Sequence, residues 1–299
     1  MKRDKTLAWT PPATIDFTGK KIAIVGGTGG IGRALAHQFA AKGAQIIVVG
    51  RTFRDEGIAG INPLLADLSK MKEAERVGQT LPAEELDILL FTTGIFADYV
   101  RQETADGLEQ DVAIGYLNRL VILRNMGARL NQPRPDHKRP RVFIMGYPGT
   151  GRQAVIDDLN SEKSYARWTA HQNSVAGNEA LVYDISKRYP NLDVFGLNPG
   201  FVQTDIRDEI FFKRGGLLNK IGYWITAFMT RTPEDYAQRV LPLFIVPELT
   251  GQSGKHFDKN GNAILPSNWV NDANCKELIR ASEKLISRAG VCQESEVRD

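Results

Sequence analysis

The sequence predicts an α/β fold, a doubly wound parallel sheet in a single domain, and three observations predict it. Short, almost wholly apolar runs recur with helical stretches between them, the pattern of parallel strands covered on both faces. The first run, 22–25, leads through a glycine cluster straight into an amphipathic helix. No repeat, linker or compositional break divides the 299 residues, a length that one large α/β domain can fill.

The stretch Lys21-Ile-Ala-Ile-Val-Gly-Gly-Thr-Gly-Gly-Ile-Gly-Arg33 organises the rest. Ile22 to Val25 reads as a buried strand, and Gly26, Gly30 and Gly32 have the spacing G-x-x-x-G-x-G. Gly26 permits the sharp turn out of the strand. Gly30 keeps side-chain bulk away from an approaching diphosphate, and Gly32 lets the helix pack closely on the strand. Thr28, Gly29 and Ile31 complete the loop. Free N–H groups and the helix dipole at its end attract negative charge. Between a strand and a helix, such a loop predicts a Rossmann-type dinucleotide site.

Strand two is expected at Gln45–Val49, ending at Gly50-Arg51-Thr52. The ribose of a bound dinucleotide sits at such a strand end, where a carboxylate would bind a free 2′-OH and repel a 2′-phosphate. Arg51, Arg54 and the Thr52 hydroxyl stand there instead, so the sign of the charge favours NADP(H). Solvated surface arginines are the plainer alternative. Strand three, 61–66, ends at Asp67-Leu68-Ser69, where the carboxylate can accept from an adenine amino group. A polar helix is expected over 70–79. Strand four, 86–91, ends in Thr92-Thr93-Gly94, where backbone can approach the cofactor. A long helical pattern covers 106–130, followed by strand five (141–145), a second long helix (167–188) and strand six (192–197).

Residues 206–230 are apolar and irregular and read as an apolar lid over a hydrophobic small-molecule pocket, or as cover for a homo-oligomer contact. Thr232-Pro233-Glu234 is a helix start. A last strand pair lies within 254–265, and a polar helical tail fills 266–299. Residues 1–17 form an N-terminal arm.

Composition narrows the partners. The net charge of +3 comes from 38 basic and 35 acidic residues, interspersed, so no nucleic acid or acidic membrane is implied. The basic stretch from Arg134 to Arg141 is broken by prolines and reads as a solvated loop. Two cysteines offer no metal-ligand spacing, so no metal is expected. With no signal peptide and no membrane span in the pattern, the expected location is cytoplasmic. His37 lies off its helix's apolar stripe and is expected to be exposed.

Together the βαβαβ alternation, the glycine loop, Asp67, Thr92-Thr93-Gly94 and Pro199-Gly200-x-Val202-x-Thr204 resemble the short-chain dehydrogenase/reductases, over about residues 18–265. Asp106-Gly107-Leu108-Glu109 and Leu159-x-x-Glu162-Lys163 resemble the retinol dehydrogenase-like branch. The resemblance implies NADP(H) across the C-terminal strand ends. It puts Pro199, Gly200, Val202 and Thr204 beside the cofactor, with Thr204 near the nicotinamide carboxamide.

The resemblance also implies four catalytic residues, and here the chain departs from it. The asparagine position falls on Gly115, the serine on Gly146 or Tyr147, the tyrosine on His171 and the lysine on Val175. Tyr183-Asp-Ile-Ser-Lys187 matches Y-x-x-x-K but stands at the wrong end of its helix. If the chain reduces a carbonyl, His171 is the replacement acid by position, since an unperturbed imidazole titrates near neutrality. Tyr147 is the next candidate, with Tyr116 and Asn118 lining the same cleft. The plainer alternative for His171 is a helix histidine satisfied by a neighbour. Three functions follow: an NADP(H)-dependent reductase of a hydrophobic carbonyl or imine with an altered proton donor, a repurposed enzyme of specialised metabolism catalysing a non-redox cyclisation, isomerisation or dehydration, and a non-catalytic NADP(H)-binding sensor or scaffold.

Overall fold

The computed structural model describes residues 1–200, 202 and 231–291. The expected lid at 206–230 and Thr204 lie outside the described residues. Eight strands form one sheet: β1 Lys21–Val25, β2 Gln45–Gly50, β3 Ile61–Leu65, β4 Ile88–Phe91, β5 Arg141–Met145, β6 Asp193–Leu197, β7 His256–Phe257 and β8 Ala263–Ile264. Their spatial order is β3-β2-β1-β4-β5-β6-β7-β8. Every neighbouring pair is parallel except β7 and β8, a hairpin with Gly261 in its turn at φ +78°. Pro63 is tolerated in β3 because that strand is an edge.

Helices cover both faces. On one lie α1 (Gly30–Ala40) and, late in the chain, α5 (Pro233–Val240). On the other lie α2 (Met71–Thr80), α3 (110–130), α4 (Arg167–Arg188) and α6 (Asp272–Arg288). Leu35, Phe39, Tyr236 and Phe244 belong to the first core layer; Val77, Leu120, Leu181 and Ile286 belong to the second. In the first, the Phe39 ring meets Phe17 and Phe244 edge-on at 4.8 and 5.1 Å. Cutting Phe39 back to alanine removes both contacts at a cost of about 3–5 kcal/mol.

Local chemistry fixes the helix ends. The Thr232 hydroxyl accepts from Asp235 N at 3.1 Å, with Pro233 at the first helical position. Asn271 caps α6 through Asn274 N at 3.0 Å, and α6 buries Leu278, Ile279, Ser282 and Ile286. At the N-terminus, Asp4 N donates to Ala263 O and Leu265 N donates to Lys2 O, so the arm runs beside β8.

Helix α3 begins at Gln110, four residues later than its pattern predicts. Gly107, at φ +72°, closes a turn on Thr104, and Asp106 instead accepts from Met71 N at 2.7 Å, at the start of α2. Glu109 caps α3 by accepting from Val112 N at 2.9 Å. The helix then makes one wide π turn over Ala113–Leu117, centred on Gly115, before resuming as Asn118–Leu130. The basic stretch 134–141 is not wholly a solvated loop either. Arg141 is buried and donates to Phe244 O, Val246 O and Thr250 Oγ1.

Candidate active site

Parallel pairing places the C-terminal ends of β1, β2, β4, β5 and β6 along one edge of the sheet. The winding reverses between β1 and β4, so a crevice opens there, the usual ligand position in such sheets. The glycine loop forms its floor. A Cβ on Gly26 would meet Thr93 N at 2.6 Å, and one on Gly32 would meet Gly26 O at 2.3 Å. Gly26 and Gly30 have φ of +94° and +47°. Helix α1 begins with neither a side-chain cap nor an acidic residue in its first turn, and a Cβ on Gly29 would meet nothing within 4 Å. An open, uncapped helix start fits the diphosphate of a dinucleotide. Thr28 packs its side chain on Gly50, where a Cβ would lie 2.3 Å from Oγ1, and Ile31 is half-buried behind it.

At the end of β2, Arg51, Thr52 and Arg54 are exposed. Asp55, in the same loop, is a carboxylate that the sequence reading passed over. It is 3% exposed and bound by Arg33 through Nε at 2.9 Å and Nη2 at 2.6 Å. His37 Nε2 lies 3.1 Å from it, so His37 belongs to this cluster rather than to bare solvent. The Arg33 hydrogen bonds hold the Asp55 carboxyl below its ordinary pKa. Its charge is therefore met within the fold, and Arg51 and Arg54 keep the exposed corner positive. Asp67 accepts from Ser69 N and Oγ at the end of β3, followed by buried Leu68. Burial raises the Asp67 pKa, but the Ser69 hydrogen bonds, with Lys70 and Arg51, outweigh it and leave the carboxyl lowered. Thr93 and Gly94 follow β4, half-buried. After β6, Asn198 Oδ1 accepts from Gly200 N at 2.9 Å, and Gly200 has φ +68° beside Pro199. Val202 is bridged to Arg231.

Helices α3 and α4 are crossovers between parallel strands, so each has its first turn at this edge. His171 in the first turns of α4 and Asp111 in the first turn of α3 meet there. His171 Nδ1 lies 2.8 Å from Asp111 Oδ2, which also accepts from Ala97 N at 3.0 Å. Asp111 is 1% exposed, while the imidazole retains 27% of its exposure. With the carboxylate on Nδ1, the other ring nitrogen, Nε2, is the one available for chemistry. The Phe96 ring lies 4.5 Å from the imidazole and 4.9 Å from Trp168, so one approach to the dyad is apolar.

Arg119 lies behind the dyad. It is 2% exposed and donates to Thr93 O, Met145 O and Asn178 Oδ1. Asn178 in turn donates to Gly115 O and Ser174 O, both at 2.8 Å. Burial pushes the Arg119 pKa down to about 9, with the charge of Asp111 pulling the other way.

Other expectations separate from this centre. Tyr116 is fully buried and hydrogen-bonded to Ser282 Oγ at 2.8 Å, and Asn118 is buried against Ile114 O. Neither lines the cleft, because the wide turn at Gly115 directs both into the core. Tyr147 follows β5, half-buried, and burial raises its phenol pKa. Val175 is 7% exposed among core residues. Tyr183 and Lys187 sit in the last turns of α4, stacked on each other at 5.8 Å, at the opposite edge of the sheet. Among the described residues, no group of three or more His, Cys, Asp or Glu side chains could hold a metal ion, and no helix is long and apolar enough to cross a membrane.

No protein-family model matches the chain. Its sequence is 41% identical to an uncharacterized oxidoreductase of Saccharomyces cerevisiae over 295 residues, covering 96% of this chain and 95% of the relative. It is 25% identical to human retinol dehydrogenase 14, covering 90% of this chain and 86% of that one. Among solved structures, a short-chain dehydrogenase from Salmonella enterica superposes with a TM-score of 0.61 at 18% identity, covering 84% of this chain and 99% of that chain. The Pseudomonas aeruginosa RhlG/NADP active-site complex superposes with a TM-score of 0.59 at 18% identity, covering 83% and 97%.

Proposed function

The chain belongs to the short-chain dehydrogenase/reductase family, and we propose that it is an NADP(H)-dependent reductase of a hydrophobic carbonyl or imine in which His171 gives the proton. The observation that carries this reading is the 2.8 Å contact between His171 Nδ1 and Asp111 Oδ2. A buried carboxylate on one ring nitrogen fixes the tautomer and the orientation of the ring, which leaves Nε2 placed to act as a general acid.

When bound, the reduced nicotinamide supplies hydride to the electrophilic carbon. The α1 N-terminus holds the diphosphate, and Arg51 with Arg54 supports the 2′-phosphate corner. His171 gives its Nε2 proton to the oxygen or nitrogen that gains the electron pair. The Asp111 carboxylate holds the ring in place through Nδ1, and the partial exposure of His171 allows reprotonation from water. An imine that is already protonated asks less of this acid than a ketone does. Phe96 and Trp168 favour an apolar substrate beside the dyad, in keeping with a relative named as a retinol dehydrogenase.

The test is oxidation of NADPH by the purified protein with a panel of apolar aldehydes, ketones and cyclic imines. Substrate-dependent oxidation that His171→Ala abolishes, with NADPH still bound, supports the reading. An equally active variant removes His171 from the mechanism.

A further inference from the structure

We propose that Arg119 sets the redox-state preference of the cofactor site: its buried guanidinium, held beneath the ends of β4 and β5, favours the neutral reduced nicotinamide over the cationic oxidised one. The inference rests on the dinucleotide reading above and extends it to a residue outside the glycine loop and the dyad.

Arg119 is 2% exposed, and its acceptors are neutral: Thr93 O just past β4, Met145 O at the end of β5, and Asn178 Oδ1. Its Nε is buried without a partner. Among the described residues no carboxylate forms an ion pair with it, and Asp111 acts on its charge only at longer range. The neighbouring Arg124, by contrast, is paired with Asp184 at 2.8 Å and Glu283 at 2.9 Å. A buried charge is costly unless compensated, so a guanidinium satisfied only by dipoles leaves a positive potential in its surroundings. Those surroundings are the strand ends next to the crevice where the winding reverses.

The two cofactor forms carry the same phosphates. They differ by one positive charge on the ring, which hydride addition removes. A fixed cation nearby therefore raises the free energy of the oxidised form alone. For a unit charge in a partly shielded interior the effect is about tenfold in affinity. The fold also uses a buried arginine as a plain clamp at the other edge, where Arg141 ties Phe244 O and Val246 O. The experiment must therefore read charge rather than stability.

Dissociation constants for NADPH and for NADP⁺ are measured by titration of the full chain near neutral pH, well below the pKa of about 9 to which burial lowers Arg119. In Arg119→Met the ratio of NADP⁺ to NADPH dissociation constants falls about tenfold, and in Arg119→Lys, which keeps the charge, it is retained. In Asp111→Asn the ratio rises, because the nearest opposing charge is gone. An unchanged ratio in Arg119→Met, or an equal fall in Arg119→Lys, overturns the proposal while leaving the dinucleotide reading in place. Should Arg119→Met fail to fold, Arg119→Gln carries the same test, and an unchanged ratio there overturns the proposal. A wild-type chain that binds neither form overturns the dinucleotide reading, and this proposal with it.

Discussion

Asp111 reaches His171 past a residue that has no side chain. A Cβ on Gly115 would lie 2.4 Å from Ser174 Oγ and 3.1 Å from Asp111 Oδ1, so glycine leaves room for the Ser174 hydroxyl and, more narrowly, for the Asp111 carboxylate. Gly115 is also where the sequence resemblance puts the family's asparagine. Gly115→Ala should lower turnover at least about tenfold, with a stability cost of about 1–3 kcal/mol from overpacking. Steady-state kinetics and thermal melts check the two parts, and full activity would separate Gly115 from the dyad.

Within the dyad, Asp111→Asn keeps the shape but replaces the carboxylate that orients the imidazole through Nδ1. A fall in kcat of about ten- to a hundredfold is expected, smaller than the roughly 10²–10⁴ for loss of the general acid itself in His171→Ala. Parallel kinetics on the two variants and their combination test this. The double variant should be no worse than His171→Ala, since Asp111 acts through His171.

The Tyr183 and Lys187 side chains, despite their familiar spacing, should be dispensable. Lys187 lies sixteen residues along the helix from His171, roughly 24 Å at 1.5 Å per residue. Tyr183→Phe combined with Lys187→Ala should leave kcat within about twofold of wild type. A large loss would place the chemistry at the other end of α4.

Arg51→Glu should weaken NADPH at least about tenfold while leaving NADH unaffected or improved, because a carboxylate at that corner repels the 2′-phosphate and accepts from a free ribose hydroxyl. Comparative binding of the two cofactors reads the difference. Equal weakening of both would mean that Arg51 does not touch the 2′ position.

Glu109 gives stability a pH dependence. Burial drives its pKa up from 4.5 to about 7, partly offset by the hydrogen bond from Val112 N. The folded chain then holds a proton that the unfolded chain has released. The stabilisation is complete below about 4.5 and is lost as pH rises through about 7. Glu109→Gln, which keeps an oxygen for the cap, should flatten denaturant midpoints over that window, a difference of up to roughly 3 kcal/mol. A variant whose pH profile matches wild type would assign the slope to other groups.

The geometry of the glycine loop is legible in the sequence for a physical reason. A turn at positive φ and a close backbone approach leave glycine as the only fitting residue, so Gly26, Gly30 and Gly32 carry their geometry in their identity. The strands were legible too, because burial on both faces demands unbroken apolar runs. His171 could be found by its position on α4. Its partner could not, since sixty residues separate them in the chain and only two parallel crossovers bring their helix starts together. Arg119 reads as an ordinary polar position in a helical pattern. It is buried only because Thr93 O, Met145 O and Asn178 Oδ1 converge on it. Asp55 was hidden in the same way, its charge met by an arginine twenty-two residues earlier.

On the proposed reading, this chain reduces its substrate with NADPH and a proton from His171. Single-turnover oxidation of bound NADPH, followed in wild type and in His171→Ala against the same panel of apolar carbonyls and imines, tests it most directly. Wild type should oxidise the cofactor with at least one member of the panel, and His171→Ala should bind NADPH equally well but slow its oxidation by about two orders of magnitude or more. Oxidation at the wild-type rate in the variant, or conversion of a substrate by the wild type with the cofactor left reduced, would contradict it.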